Sequence, residues 1–117
     1  MKDLEIYCIT NKKIHLSKKI YKIGWVRNDN PPSNYISCNT KNNIFHKEKY
    51  YSELTFQYWF WKNLLSVNDR HWIGFCQKRR YWIKKESKNL NINYSNFQNH
   101  ILDKVPDEWS GCESVIC

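Results

Sequence analysis

The run WIGFC, Trp72 to Cys76, constrains this chain more than any other stretch, because it is uniformly apolar, strand-length and followed at once by Gln77, Lys78, Arg79 and Arg80. A short continuous apolar run bounded by polar residues fits a strand buried on both faces, as in parallel sheets covered by helices. Three consecutive cations at its carboxyl end are well placed to meet an anion. In open α/β sheets ligands bind in the crevice outside the carboxyl ends of the strands, and the planar donor fork of Arg matches phosphate oxygens in pairs. A solvated basic turn is the other reading of the same four residues, and residue chemistry alone leaves both open.

The rest of the chain alternates strand and helix signals. LEIYCIT, Leu4 to Thr10, is rich in β-forming residues and exits into Asn11, Lys12 and Lys13, so it predicts a first strand. IYKIGWV, Ile20 to Val26, predicts a second. Arg27 to Asn43 carries paired prolines and many Asn and Ser residues, and reads as a loop. A helix is predicted to begin at Ser52, with Ser52 as its N-cap and Glu53 in the first turn, where a carboxylate favours the helix dipole. Leu54, Tyr58, Trp61 and Leu65 recur at helical spacing and are expected on its inward face, with Phe56 and Phe60 extending the apolar surface around the side. Lys84 to Asn99 reads as a surface loop with a short helix around Tyr94 to Leu102. Pro106, Asp107 and Glu108 mark a turn, and Glu113 to Cys117 starts another strand-like run.

Length and charge bound the rest. At 117 residues the chain is long enough for one domain with a single core, covering residues 1–117. The net charge of +8 calls for an anionic partner without naming it, and part of the basicity is explained equally well by a biased, Lys- and Asn-rich composition. Met1 and Lys2 lead into Asp3 and an alternating segment rather than a signal peptide, and no apolar run reaches the ~20 residues of a membrane span. The expected location is therefore cytoplasmic, with peripheral membrane contact through Lys-rich faces as an extension.

Catalytic and metal signatures are sparse. Cys8, Cys38, Cys76, Cys112 and Cys117 are scattered and odd in number, which suits reduced thiols, and they lack the paired spacing of a zinc site. His15, His46, His71 and His100 show no Cys or Ser nucleophile partner in sequence. Three glycines leave no P-loop and no G-x-G-x-x-G turn, and no G-x-S-x-G elbow occurs. Asp-x-Asp, the hard-oxygen pair that would hold magnesium or manganese on a diphosphate, is also absent; Asp29 lies among Asn residues and Asp107–Glu108 follows a proline. No cofactor is assigned: either no metal is needed, or Mg or Mn enters through carboxylates downstream of Cys117.

With these residues in place, NIFHKEKYYSELTFQYWFWKNL followed by HWIGFCQKRRYW resembles the signature of a bacterial family of capsular and exopolysaccharide synthesis. That signature pairs a segment of the type Y-x-E-L-T, Y-W-x-W-K-N with one of the type Y-I-G-L-x-H-Y-R-R-Y. The likeness covers roughly Ile6 to Cys117 and is densest from Asn43 to Trp82. Asn43, Ile44, Lys47, Tyr51, Glu53, Leu54, Thr55, Tyr58, Trp59, Trp61, Lys62 and Asn63 fit the first segment; Ile73, Gly74, Arg79, Arg80 and Tyr81 fit the second. Gln77 and Lys78 stand where the family has His and Tyr, and Phe45 replaces a small polar residue.

The resemblance implies a glycosyltransferase with a GT-A-like open sheet and helices on both sides, of which this chain is the N-terminal portion and weakly active alone. It implies a nucleotide-sugar donor and a glycan or lipid-linked glycan acceptor. Thr10 and Asn11 would approach the base or ribose, and Lys78, Arg79, Arg80 and Tyr81 the diphosphate or acceptor. Glu53 is the one candidate catalytic carboxylate, with helix capping and Arg pairing as its other readings. A basic nucleic-acid-binding module without catalysis is the competing hypothesis, motivated by interleaved aromatic and basic residues. Against it stands the helical spacing of the aromatic run.

Overall fold

The computed structural model describes residues 3–65 and 71–116. Four parallel strands form its centre: β1 (Asp3–Thr10), β2 (Tyr21–Trp25), β3 (Ile36–Ser37) and β4 (His71–Gln77), side by side in the order β3-β2-β1-β4. A four-residue helix, α1 (Glu48–Tyr51), and an eleven-residue helix, α2 (Glu53–Asn63), fill the connection from β3 to β4. The three strands anticipated from apolar runs are all present. The two-residue β3 lies inside the stretch expected to be a loop, where Gly24 pairs with Ile36 and Trp25 with Ser37.

Strand β1 is the spine of the sheet. Its side chains alternate, so Tyr7 and Ile9 enter the core beneath α2 while Leu4 and Ile6 enter a second core on the other face. Burial on both faces, predicted for Trp72 to Cys76, therefore belongs to β1. Among the described residues β4 pairs only with β1, and its side chains are half-buried because its outer edge has no strand beside it.

The inward face of α2 also differs from expectation. Phe56, Trp59 and Phe60, with Thr55, form the buried face, whereas Leu54, Trp61 and Leu65 point outward and are exposed. Either stripe satisfies helical spacing, and the sheet decides between them. Gly24 in β2 has no side chain, and Phe56 occupies the space: a Cβ placed on Gly24 would lie 2.5 Å from Phe56 Cε2. Tyr7 then packs tilted against Phe60 with ring centres 4.6 Å apart, and Phe60 meets Phe75 edge-on at 5.5 Å. The indole of Trp59 donates to Thr40 O at 3.0 Å, tying the helix to the preceding loop.

Ser52 separates the two helices. Its side chain makes no cap bond, contrary to the N-cap reading, and its φ of 46° lies in the left-handed region. The backbone supplies the connection instead, with Ser52 N donating to Glu48 O at 2.8 Å and Thr55 N to Ser52 O at 3.1 Å. A left-handed serine costs on the order of 1–3 kcal/mol, which the burial of Phe56, Trp59 and Phe60 on the helix that follows offsets.

The opposite face carries no α-helix among the described residues, a correction to the expectation of helices on both sides. It is covered by irregular chain with single 3-10 turns at Lys85–Ser87, Phe97–Asn99 and Asp107–Trp109. An Ile83–Ile101 bridge, reinforced by Leu102 N to Trp82 O at 2.9 Å, presses Ile101 and Leu102 against Ile6 and Tyr21. The predicted helix at Tyr94–Leu102 is reduced to one 3-10 turn, and Glu113–Ile116 forms no strand.

Connections of one hand, taken in opposite directions along a sheet, land on opposite faces. The β1–β2 connection accordingly lends Leu16 and Ile20 to the irregular face, while the return to β4 places α2 on the other.

Gly24→Ala should destabilise the chain by about 1–3 kcal/mol, because the added methyl and the Phe56 ring cannot share that space. Gly74→Ala should cost less, since the nearest atom to its Cβ would be Ile6 Cγ1 at 3.3 Å. Urea denaturation of both variants checks this, and equal midpoints would contradict the packing described.

Candidate functional site

All four strands are parallel, so their carboxyl ends share one rim. The chain lays down β1, β2 and β3 in one direction, returns through α1 and α2, and adds β4 on the far side of β1. Strand order therefore reverses between β1 and β4, the topological position where α/β sheets open a ligand crevice. At that reversal stand Thr10 and Asn11 on one side and Gln77 to Arg80 on the other.

Two short turns shape the rim. After β1, Thr10 Oγ1 donates to Lys12 O at 2.8 Å and accepts from Lys12 N at 3.1 Å, which curls the chain and leaves Asn11 and Lys12 exposed. After β4, Gln77 and Arg80 exchange backbone bonds, Arg80 N to Gln77 O at 2.9 Å and the reverse at 3.3 Å. Arg79 adopts φ 72° as the second central residue of that turn, where glycine is usual. The turns are joined across the reversal: Lys78 N donates to Ile9 O at 3.3 Å, and Lys78 Nζ to Asn11 Oδ1 at 2.6 Å.

The electrostatics follow from this convergence. Partial desolvation, then the charges of Lys12 and Arg79, hold the Lys78 ammonium below the ordinary lysine value. Like charges crowded at the end of a sheet favour an anion that relieves their repulsion. Lys12 was read in sequence only as part of a polar exit; its proximity to Lys78 exists only once β1 and β4 pair.

Beside this rim, over the ends of β1 and β2, lies a cavity of about 670 Å³ lined by Asn11, Val26, Arg27, Asn28, Asp29, Phe45 and Glu48. Arg27 pairs with Asp29 at 3.0 Å and holds its carboxyl below the usual range, with the Trp25 indole donating to the same group at 3.2 Å. Arg79 and Arg80 are exposed and flank the rim on the β4 side, outside this cavity's lining.

Other predicted site residues fall elsewhere. Tyr81 is half-buried under the sheet, 5.1 Å from the Phe97 ring, and burial first, then Cys8 and Cys76, push its hydroxyl up. It is therefore a packing residue rather than a rim residue. Glu53 sits in the first turn of α2, and among the described residues it forms no ion pair, with Arg79 and Arg80 or otherwise. Asn43 Oδ1 accepts from Phe45 N at 3.0 Å, Tyr58 OH donates to Asn42 Oδ1 at 3.1 Å, and Asn63 Nδ2 to Asn42 O at 2.8 Å. These motif positions fasten the loop before α1 to the helix. Lys47, Tyr51, Trp61 and Lys62 lie exposed on α2 or just before it.

His100 does have a serine partner, unlike the sequence reading: its Nδ1 lies 2.9 Å from Ser87 Oγ. Ser87 is buried, so the pair clamps two segments of the irregular face and offers no accessible nucleophile. No group of three or more His, Cys, Asp or Glu residues suited to a metal occurs among the described residues.

A model of a domain of unknown function, DUF4422, matches residues 5–107, which takes in all of β2, β3 and β4, both helices and most of β1. The chain belongs to that family. Neither a curated protein nor a solved structure matches it. Both halves of the rim lie inside the DUF4422 match, as do the buried Cys8 and Cys38 and the half-buried Cys76.

Cys8 and Cys76 stand directly opposite one another across β1 and β4. Hydrogen bonding with Cys8 and then burial push the Cys76 thiol up, and burial, helped by Glu48, pushes Cys38 up to about 12. A thiol so protonated is a poor nucleophile. In this DUF4422 chain iodoacetamide at mildly alkaline pH should modify exposed Cys112 while leaving Cys38 and Cys76 intact until urea is added. Peptide mapping reads the order, and Cys38 reacting as fast as Cys112 would contradict it.

Proposed function

We propose that the domain binds the diphosphate of a nucleotide-sugar donor at the rim where β1 and β4 end, and that it serves glycosyl transfer in capsular or exopolysaccharide synthesis. The observation that carries this reading is the Lys78–Asn11 bond at 2.6 Å, which joins the two strand exits on either side of the order reversal and gathers Lys12, Lys78 and Arg79 around one point. A parallel sheet in the order β3-β2-β1-β4 supports it, because this order puts that point where nucleotide ligands enter α/β sheets. The finer assignment, a GT-A-like sheet, rests on the motif resemblance.

In this reading Arg79 and Arg80 grip the pyrophosphate oxygens and offset the charge that grows on the nucleoside diphosphate as the glycosidic bond breaks. The adjacent cavity takes the nucleoside. Asp29 and Glu48 supply acceptors for ribose hydroxyls or base N–H groups, Asn11 supplies both a donor and an acceptor, and Phe45 offers an apolar surface. A glycan or lipid-linked glycan would accept the sugar from the open side of the rim. Magnesium or manganese, if bound with the diphosphate, would add to the same charge offset.

Calorimetry with nucleoside diphosphates tests the reading. Arg79→Gly suits the backbone, since glycine accepts the left-handed φ, and combined with Arg80→Gln it removes both guanidinium groups without straining the turn. Charge-assisted hydrogen bonds contribute about 1.5–3 kcal/mol each, so affinity should fall at least tenfold, or about 1.4 kcal/mol. Unchanged affinity would reject the phosphate role. Tight, steeply salt-dependent binding of RNA without diphosphate binding would favour a nucleic-acid module.

A further inference from the structure

The helix that seats the sheet has a second apolar stripe for which the core has no use. On α1 and α2, Tyr50, Leu54 and Trp61 lie on the outward side, with Leu64 and Leu65 just beyond the last turn; Leu54 is 52 % and Trp61 57 % exposed. Phe56, Trp59 and Phe60 already fill the inward side, so no rotation of the helix could bury both. Exposed apolar side chains gathered along one stretch in this way mark a contact surface.

We propose that this outward face of α1 and α2 docks on an anionic lipid surface. The choice of occupant follows from the cations within the stripe. Lys62 Nζ sits 3.8 Å from the centre of the Trp61 ring and 5.9 Å from that of Tyr58, and Lys49 Nζ sits 5.0 Å from the Tyr50 ring. Lysines are depleted from the centres of protein–protein interfaces. At a bilayer surface the same combination is favoured: Trp and Tyr settle at headgroup depth, leucines reach the acyl boundary, and lysines meet lipid phosphates or carboxylates. Exposed Lys47 adds to the positive side, and the chain's net charge of +8 has the sign that anionic lipids attract. No helix among the described residues is long and apolar enough to cross a membrane, which agrees with a helix that lies on the surface.

The inference is independent of the donor-site reading, and its test separates the two. The full chain is floated with vesicles of phosphatidylcholine alone and of phosphatidylcholine with phosphatidylserine. It should float with the mixed vesicles, weakly with phosphatidylcholine, and less as salt is raised. Leu54→Ser/Trp61→Ser should reduce partitioning at least about tenfold while far-UV circular dichroism and nucleoside diphosphate affinity stay as in the parent. Lys49→Gln/Lys62→Gln should also weaken it about tenfold, whereas Lys88→Gln/Lys104→Gln, which removes the same charge elsewhere, should cost less. Failure to float with either vesicle, or equal flotation of the folded Leu54→Ser/Trp61→Ser variant, would overturn the proposal. So would a concentration-dependent dimer that this variant dissociates, since a second copy of the chain would then cover the face.

Discussion

The Phe56 ring lies so close to the Gly24 backbone that nothing larger than a hydrogen fits between them, and the rest of the molecule depends on that contact. It sets how near α2 approaches the sheet and which way the helix is turned. Tyr7, Ile9, Phe60 and Phe75 then close around it as one core. With α2 seated over β1 and β2, the chain adds β4 on the free side of β1, and the strand order reverses there.

The rim inherits its chemistry from the same geometry. Pairing in register sets Ile9 opposite Gln77, so the residues that follow each strand emerge side by side. Asn11 and Lys78 are 67 positions apart in the chain yet share a 2.6 Å bond. Cations that would be unremarkable on separate loops become a concentrated positive field when two parallel strands end together. The left-handed Arg79 holds that turn in a conformation most residues avoid, and such strain persists where surrounding structure over-determines the backbone.

Much of this was legible in the residues and part was not. Apolar runs with polar exits located β1, β2 and β4, and the uniform run from Trp72 to Cys76 gave the direction in which Arg79 and Arg80 emerge. The rotation of α2 was illegible, because aromatic residues surround the helix and both Leu54–Tyr58–Trp61 and Phe56–Trp59–Phe60 satisfy its period; the missing side chain at Gly24, far away in sequence, selects between them. Strand β3 is too short to leave a periodic signal. The irregular face depends on distant partners, such as Ile83 with Ile101 and Trp72 with Trp109 at 5.1 Å, which no local pattern announces. Tyr81 looked like part of the cationic motif and packs beneath the sheet, since the turn at Gln77–Arg80 directs the chain that way.

If the exits of β1 and β4 act as one anion site, an NMR titration of the isotopically labelled chain with a nucleoside diphosphate will show both of them responding to the same ligand. The amides of Asn11 and Lys12 should shift together with those of Lys78, Arg79 and Arg80, along one saturating curve. Shifts confined to one exit, or appearing first around Trp109 on the opposite side of the sheet, would contradict it.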